Sequence, residues 1–384
     1  FTNIRLKSGI KKEGQRMDPE VAKRLLVEGG TLIFLDVPPG TEFGIDMNSW
    51  NIGEKFRGVK MIPPGLHFIF YSAANKEGNT APRTGFFHFF RRGEILVKKW
   101  HKYNEDIDES EISDEEMQRF RDNLKEIDRF LGAYPYNSWK KWVSLTSHIT
   151  ENLVAQFIPL NGRICSVSSM IPDDSRTPGL STKCCFGDGP DDDALLPRLC
   201  HVPGTEIRFS KFPEKRYPEG CTPGEMTRHS MDSTYVFGLM LSSCYNNSAP
   251  DVLGELQFSF ICFLVGQVYE AFEQWKKLVH MLCTCDDALL LYPGVFSDFI
   301  SIMHHQIKEV PEDFFLDIVS SNNFLTTTFQ EFFCNVETRE DIDRSLVDKS
   351  SKFKAHLIKK FKWDFSTEIE DFAPVVVDTG SQDS

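Results

Sequence analysis

Short apolar runs fill the first hundred positions of the chain, and their spacing changes after about residue 110. "TLIFLDV" (31–37), "TEFGIDM" (41–47) and "GLHFIFYSA" (65–73) are dense in β-branched and aromatic residues and are separated by Pro-Pro-Gly and Pro-Pro. That pattern predicts strands between turns. "TGFFHFF" and "EILVKKW" (84–100) flank "RRG" and predict a hairpin. About six strands so closely spaced predict a small sandwich or barrel. A short helix precedes them, with Asp18 as its cap, Pro19 in its first turn and Gly29-Gly30 at its end.

Beyond the strands, apolar residues recur at steps of three and four. Met117, Phe120, Leu124, Ile127 and Leu131 follow a capping box at Ser113 and Glu116, predicting a helix closed by Gly132. "NSWKKWVSLTSHI" (137–149) begins another helix. Residues 161–203 are rich in Ser, Asp, Pro and Gly, and predict a mobile linker. "GTEIRFSKF" (204–212) reads as a short strand or extended lead-in, and the rest is helical. Thr222-Pro223-Gly224-Glu225 is a capping box, and Ser248 with Asp251 repeats the device before a long helix over 251–283. Its most apolar part, "LQFSFICFLVGQV" (256–268), falls short of the ~20 residues needed to span a membrane and predicts a buried core helix. Two helical segments lie within 296–336. Thr338 with Asp341 opens the last helix, striped by Ile342, Leu346, Phe353, Leu357 and Phe361. No internal repeat is visible.

The fold predicted is therefore α+β in two domains. A β-sandwich or barrel-like N-terminal domain with flanking helices occupies 17–160, and a linker occupies 161–203. An all-α C-terminal domain occupies 204–365, and an extended tail with a docking strand occupies 366–384. Residues 1–16, "FTNIRLKSGIKKEGQR", read as translated upstream sequence or an appended remnant, with Met17 as the natural start.

Composition narrows the function classes. The 384 residues suffice for two cores, 41% are hydrophobic, and the 33 Phe favour rigid aromatic packing. A formal net charge of −13 argues against binding RNA or DNA by phosphate neutralisation alone. The 10 Cys form no CxxC pair. Cys184-Cys185 are vicinal, and His280, Cys283 and Cys285 cluster near a helix end, yet ordinary reduced thiols remain the reading, with location in cytosol or nucleus. No metal site and no cofactor is predicted.

Catalytic signatures are equally sparse. GxSxG, the P-loop, GxGxxG and HExxH are all missing. His304-His305 are adjacent on a helix and point about 100° apart, a poor chelate. Asp378-Thr379-Gly380-Ser381 imitates an aspartic-protease loop, but that chemistry needs a second Asp and strands downstream, and only "QDS" follows. "VKKWHKY" (97–103) and "WKKW" (139–142) pair an apolar face with a solvated one. With Lys349, Lys352, Lys354, Lys359, Lys360 and Lys362 they are the material for an alternative reading as an RNA-binding protein. No catalytic residue is assigned.

The tail is different. Glu368, Glu370 and Asp371 precede Phe372, Ala373, Pro374, Val375, Val376, Val377 and Asp378. Pro374 can start or edge a strand, and three valines favour extended backbone. This is the material of β-augmentation, in which a peptide adds to an exposed sheet edge. About four ladder bonds contribute about 0.5–1.5 kcal/mol each, and ordering costs about 1–2 kcal/mol per residue. The terms nearly cancel, so useful affinity requires the folded body to hold the same partner.

"PPGTEFGIDMNSW" (38–50), "FRGVKMIPPGLHF" (56–68), "YPYNSWKKWVSLT" (134–146), "GTEIRFS" (204–210), "DVLGELQFSFICFLVGQVYEAFEQWKKL" (251–278), "FKAHLIKKFKWDF" (353–365) and "APVVV" (373–377) closely resemble the Aar-two family, most of all its animal branch. Its members are U5 small nuclear ribonucleoprotein (snRNP) assembly factors of pre-mRNA splicing. The likeness runs from about Met17 to Asp378, and neither residues 1–16 nor the linker takes part in it. It implies a β-rich N-terminal domain, a helical C-terminal domain and a non-enzymatic role. It also implies binding to the RNase H-like and MPN-type domains of the large central U5 protein, between which the C-terminal tail adds a strand. Occupying that surface keeps the U4/U6-unwinding helicase away. Carried over, Ala373 to Val377 would be the added strand, with Phe372 and Asp378 beside it. The further expectations are a monomer without direct nucleic-acid contact, cytoplasmic and entering the nucleus with the precursor particle. Departure is expected to follow phosphorylation in a Ser/Thr-containing segment such as 166–182.

Overall fold

A computed structural model describes residues 18–74, 80–108, 110, 112–172, 199–310 and 324–365. The chain divides into two compact units. The first takes residues 1–212, 240–278 and 305–309, and the second takes 213–239, 279–304 and 310–384. The β-rich region and the later apolar helix thus share a unit, whereas the sequence boundary separates them at 160 and 204.

The first unit opens with α1 (Pro19–Glu28), whose cap Asp18 accepts the Glu20 N–H at 2.9 Å. Strands follow in the order β1 (Gly30–Leu35), β2 (Glu42–Ile45), β3 (Asn48–Asn51), β4 (Gly58–Ile62), β5 (Gly65–Ser72), β6 (Thr84–Phe90), β7 (Ile95–His101) and β8 (Asp106–Ile107). Then come α2 (Asp114–Asp122), α3 (Leu124–Ile127), a 3-10 turn, β9 (Leu131–Ala133), α4 (Trp139–Thr146), α5 (Glu151–Phe157) and β10 (Ile164–Cys165). β11 (Met170–Pro172) and β12 (Leu199–His201) form a two-stranded ladder of their own.

Two five-stranded sheets result, in the orders β8-β7-β1-β4-β9 and β10-β6-β5-β2-β3. Between them lies an aromatic and aliphatic core that includes Leu32, Phe34, Phe43, Ile69, Tyr71 and Trp100. Phe34 meets Phe43 and Tyr71 at 5.9 Å each, and Tyr71 meets Trp100 edge-on at 5.5 Å. β5 is buried along nearly its whole length because its other face is covered too. Phe68 packs on Phe87 (4.7 Å), and Phe87 packs on Phe258 (5.0 Å). Phe258 belongs to the helix α8, described below. Gly44 on β2 keeps that face open, since a Cβ there would stand 2.1 Å from the Phe70 ring.

The helical part continues with α6 (Pro223–Met231), α7 (Thr234–Cys244), α8 (Ala249–Leu264), α9 (Tyr269–Thr284), α10 (Ala288–Leu291), α11 (Pro293–Glu309), α12 (Phe324–Thr338) and α13 (Arg344–Phe361). α8 is buried from Val252 to Leu264, the core helix its sequence announced. α12 and α13 meet in the second unit through Phe329, Phe333 and Phe353, with Phe329 edge-on to Phe353 at 5.5 Å. Arg339 reaches both Asp286 and Asp287.

Several local expectations gave way to longer-range pairing. β6 and β7 are not a hairpin: β6 pairs with β5 and β10, while β7 runs parallel to β1 and belongs to the other sheet. The turn between them bonds instead to α1, through the Gly93 N–H and the Glu28 carbonyl at 2.9 Å. Leu131 and Gly132 do not close a helix but start β9, parallel to β4. The predicted helix 251–283 is two helices, parted where Gln267 turns left-handed (φ 61°). Ser248 makes no side-chain cap. Asp343, not Thr338, caps the last helix, accepting the Ser345 N–H at 2.7 Å. The Thr222–Glu225 capping box is present in full. The ends of the predicted linker carry β10, which pairs with β6, and the β11–β12 ladder.

Candidate functional site

The predicted docking strand, Phe372 to Asp378, lies outside the described residues, as do residues 1–16, Cys184 and Cys185. What can be built from the residues upward is the body that would carry that strand. Three buried polar clusters in the first unit, and the last turn of the second, draw on the strings that carry the family resemblance.

The first cluster surrounds Asp46, fully buried and left-handed (φ 54°) between β2 and β3. Its carboxylate accepts the Phe68 N–H at 3.0 Å, the Tyr134 hydroxyl at 2.6 Å and the His67 ring at 2.8 Å. The other nitrogen of His67 faces the Pro63 carbonyl at 2.8 Å. Trp139 stacks on the same ring at 5.4 Å, and the Trp142 indole donates to the Leu66 carbonyl at 2.7 Å. Burial and the Asp46 charge push the Tyr134 hydroxyl far up, so it stays a donor. The cluster fastens the β2–β3 and β4–β5 turns to the segment leading into α4.

Glu255, fully buried on α8, centres the second. It accepts the Ser210 N–H at 2.9 Å, the Gln274 amide at 2.9 Å and the Tyr245 hydroxyl. Burial raises the pKa of its carboxyl group, against the pull of these donors. Two residues on, Gln257 accepts the His148 N–H at 2.7 Å and ties α8 to the end of α4.

The third is Arg83. Its guanidinium lies 4.3 Å above the Phe70 ring, donates to Glu42 at 2.9 Å and to the Val265 carbonyl at 2.7 Å. A cation at the C-terminal end of α8 complements the helix dipole. Burial lowers its pKa, and the Glu42 charge opposes that.

In each cluster the carboxylate or carbonyl acceptors meet donors from backbone and neighbouring side chains. Among the described residues, no three His, Cys, Asp or Glu side chains come together to hold a metal ion. Cys283 and Cys285 are buried, and burial pushes both thiols up. The His304 ring stands 4.6 Å from His356, and His305 faces solvent. In the Lys-Trp stretches, Trp100 and Trp142 are buried, Lys98 lies over Phe86, Lys99 meets Glu116 at 3.1 Å and Lys141 meets Glu309 at 2.8 Å. On α13, Lys349 reaches Ser297 and Lys354 reaches Glu337, both at 2.8 Å.

The second unit's last turn was not singled out by the sequence. Lys362 is left-handed (φ 60°), its N–H on the Ile358 carbonyl at 3.1 Å. After it, Trp363 and Phe365 fold onto α12, at 6.5 Å from Phe329 and 5.1 Å from Phe333. The only sequence signal was the aromatic pair in "KWDF", inside one of the family strings.

Comparison with known proteins places these strings. Residues 28–159 match the model for the AAR2 N-terminal domain, and residues 209–366 match that for the AAR2 C-terminal repeat region. The chain belongs to the AAR2 family. A Macaca fascicularis relative named "Protein AAR2 homolog" is 47% identical over 380 residues, covering 94% of this chain and 97% of the relative. The Caenorhabditis elegans protein of the same name is 36% identical, over 92% of this chain and all of its own length. The Saccharomyces cerevisiae relative, "A1 cistron-splicing factor AAR2", is 22% identical over 74% of this chain and 78% of its own. The two AAR2 regions, 28–159 and 209–366, contain all three clusters and the last turn.

Proposed function

We propose that this AAR2-family chain is a non-enzymatic assembly chaperone of the spliceosomal U5 snRNP. In this reading it binds the RNase H-like and MPN-type domains of the large central U5 protein. Its tail, through Phe372, Ala373, Pro374, Val375, Val376, Val377 and Asp378, adds a β-strand to that partner. The occupied surface is thereby closed to the U4/U6-unwinding helicase until the particle matures. The observation that carries the reading is family membership over nearly the whole chain, together with the splicing-factor name of the yeast relative. The buried polar clusters are consistent with it, because their hydrogen bonds fasten elements to one another.

Binding of the recombinant RNase H-like/MPN pair to the full chain and to a chain lacking 371–384 tests the reading. The deletion is expected to weaken binding about tenfold or more, since docking of the strand is intramolecular once the body is engaged. The circular dichroism and melting of the body should stay unchanged. Equal affinity with and without the tail would overturn the proposal.

A further inference from the structure

Where α13 ends, the chain could continue outward from the helix tip. It turns back instead. The left-handed Lys362 reverses the backbone after Phe361. Trp363 then stands 5.3 Å from Phe361 and 6.5 Å from Phe329, and Phe365, 8% exposed, sits edge-on to Phe333 at 5.1 Å. Phe333 also meets Phe353, at 6.1 Å. Phe365 thus rests on α12 through Phe333, with Trp363 6.4 Å away between it and Phe361. The grip comes from α12, through Phe329 and Phe333, so it lies wholly within the second unit.

We infer that Trp363 and Phe365 form an aromatic anchor that positions the C-terminal tail. The inference rests on the docking reading above. It adds the place from which the tail starts: a fixed point on the side of the second unit, not the free end of its last helix. Residues 366–373 separate this point from Pro374. Effective concentration falls by about threefold for each doubling of a flexible tether that already spans its sites. Releasing the anchor adds residues 363–365 to the tether and moves its origin along the helix. Trp363 and Phe365 touch no partner in this account, and act only by setting where the tether begins.

A double-mutant cycle tests it, with affinity for the RNase H-like/MPN pair as the readout. Trp363→Ala/Phe365→Ala in the full chain is expected to weaken binding about one-and-a-half- to twofold. The same pair of changes in a chain lacking 371–384 is expected to leave affinity unchanged, because the anchor has no tail to position. Phe365→Leu, which keeps an apolar side chain in the slot, should restore most of the loss relative to Phe365→Ala. Eight Gly/Ser residues inserted after Phe365 leave the anchor intact and should cost about threefold. That variant keeps the test alive if the alanine changes unfold the unit. An equal loss in both backgrounds would make the anchor merely structural and overturn the inference, as would an insertion without effect. Identical affinity of the unmutated full and truncated chains would overturn the docking reading itself.

Discussion

At the scale of single residues, Asp46, Glu255 and Arg83 show what a sequence hides. All are buried charges or acids, and none sits in a recognisable motif. A pattern reading places polar residues outside, and their partners lie up to 182 positions away, as for Arg83 and Val265. Only the fold brings them together. Glu255 yields a titration test. Burial raises its folded pKa, so the native protein holds the proton more tightly than the unfolded chain. Stability from this group is therefore fully present at low pH and is lost as pH rises from about 4.3, the unfolded glutamate value, through the raised folded value. Glu255→Gln removes that slope. Urea unfolding at a series of pH values should show the variant gaining on the unmodified chain as pH rises, and parallel curves would refute the assignment. Glu255→Ala leaves the Ser210, Gln274 and Tyr245 donors without their acceptor and should cost about 3 kcal/mol or more.

Individual elements were far more legible. The strand runs at 31–37, 41–47 and 65–73, the α1 caps, the Thr222 capping box and the buried α8 were all written in local spacing and chemistry. What local signals could not say was which neighbour each strand would choose. "TGFFHFF-RRG-EILVKKW" has every feature of a hairpin, yet β7 joins β1 in parallel and leaves β6 to the other sheet. Leu131 obeys the helical period and is nevertheless taken by the open edge of β4. In each case a distant backbone outbid a local preference. Glycine positions report the same closeness. A Cβ on Gly254 would stand 2.6 Å from the His148 carbonyl oxygen and 2.3 Å from a Leu153 methyl, so α8 rests directly on the α4–α5 junction. Gly254→Val should destabilise the first unit by about 1–3 kcal/mol by overpacking. A thermal melt unmoved by that change would mean the junction yields easily.

For the whole molecule, the α+β class and the family were legible in the chain's patterns, while the grouping of residues into units needed coordinates. Residues 240–278 are grouped with the strands by contacts that only a three-dimensional reading supplies. The tail, where the functional proposal is concentrated, rests on composition and resemblance. The net charge of −13 bears on the rival reading. Contacts to about six phosphates would lose roughly a thousandfold in affinity between 50 and 200 mM salt. Strand addition to a protein should change much less. Measuring affinity for the RNase H-like/MPN pair and for a U5-length RNA across that salt range separates the two, and tight, steeply salt-dependent RNA binding would favour the rival.

The arrangement of Phe68, Phe87 and Phe258 also has a consequence for biosynthesis. The two strand phenylalanines leave the ribosome long before the residue that shields them. At about 5–20 residues per second, the nascent chain would carry an uncovered aromatic surface for roughly ten seconds or more before α8 is made. A polypeptide interrupted in that interval has no native cover for this surface, so truncation before α8 should leave a sticky, aggregation-prone product.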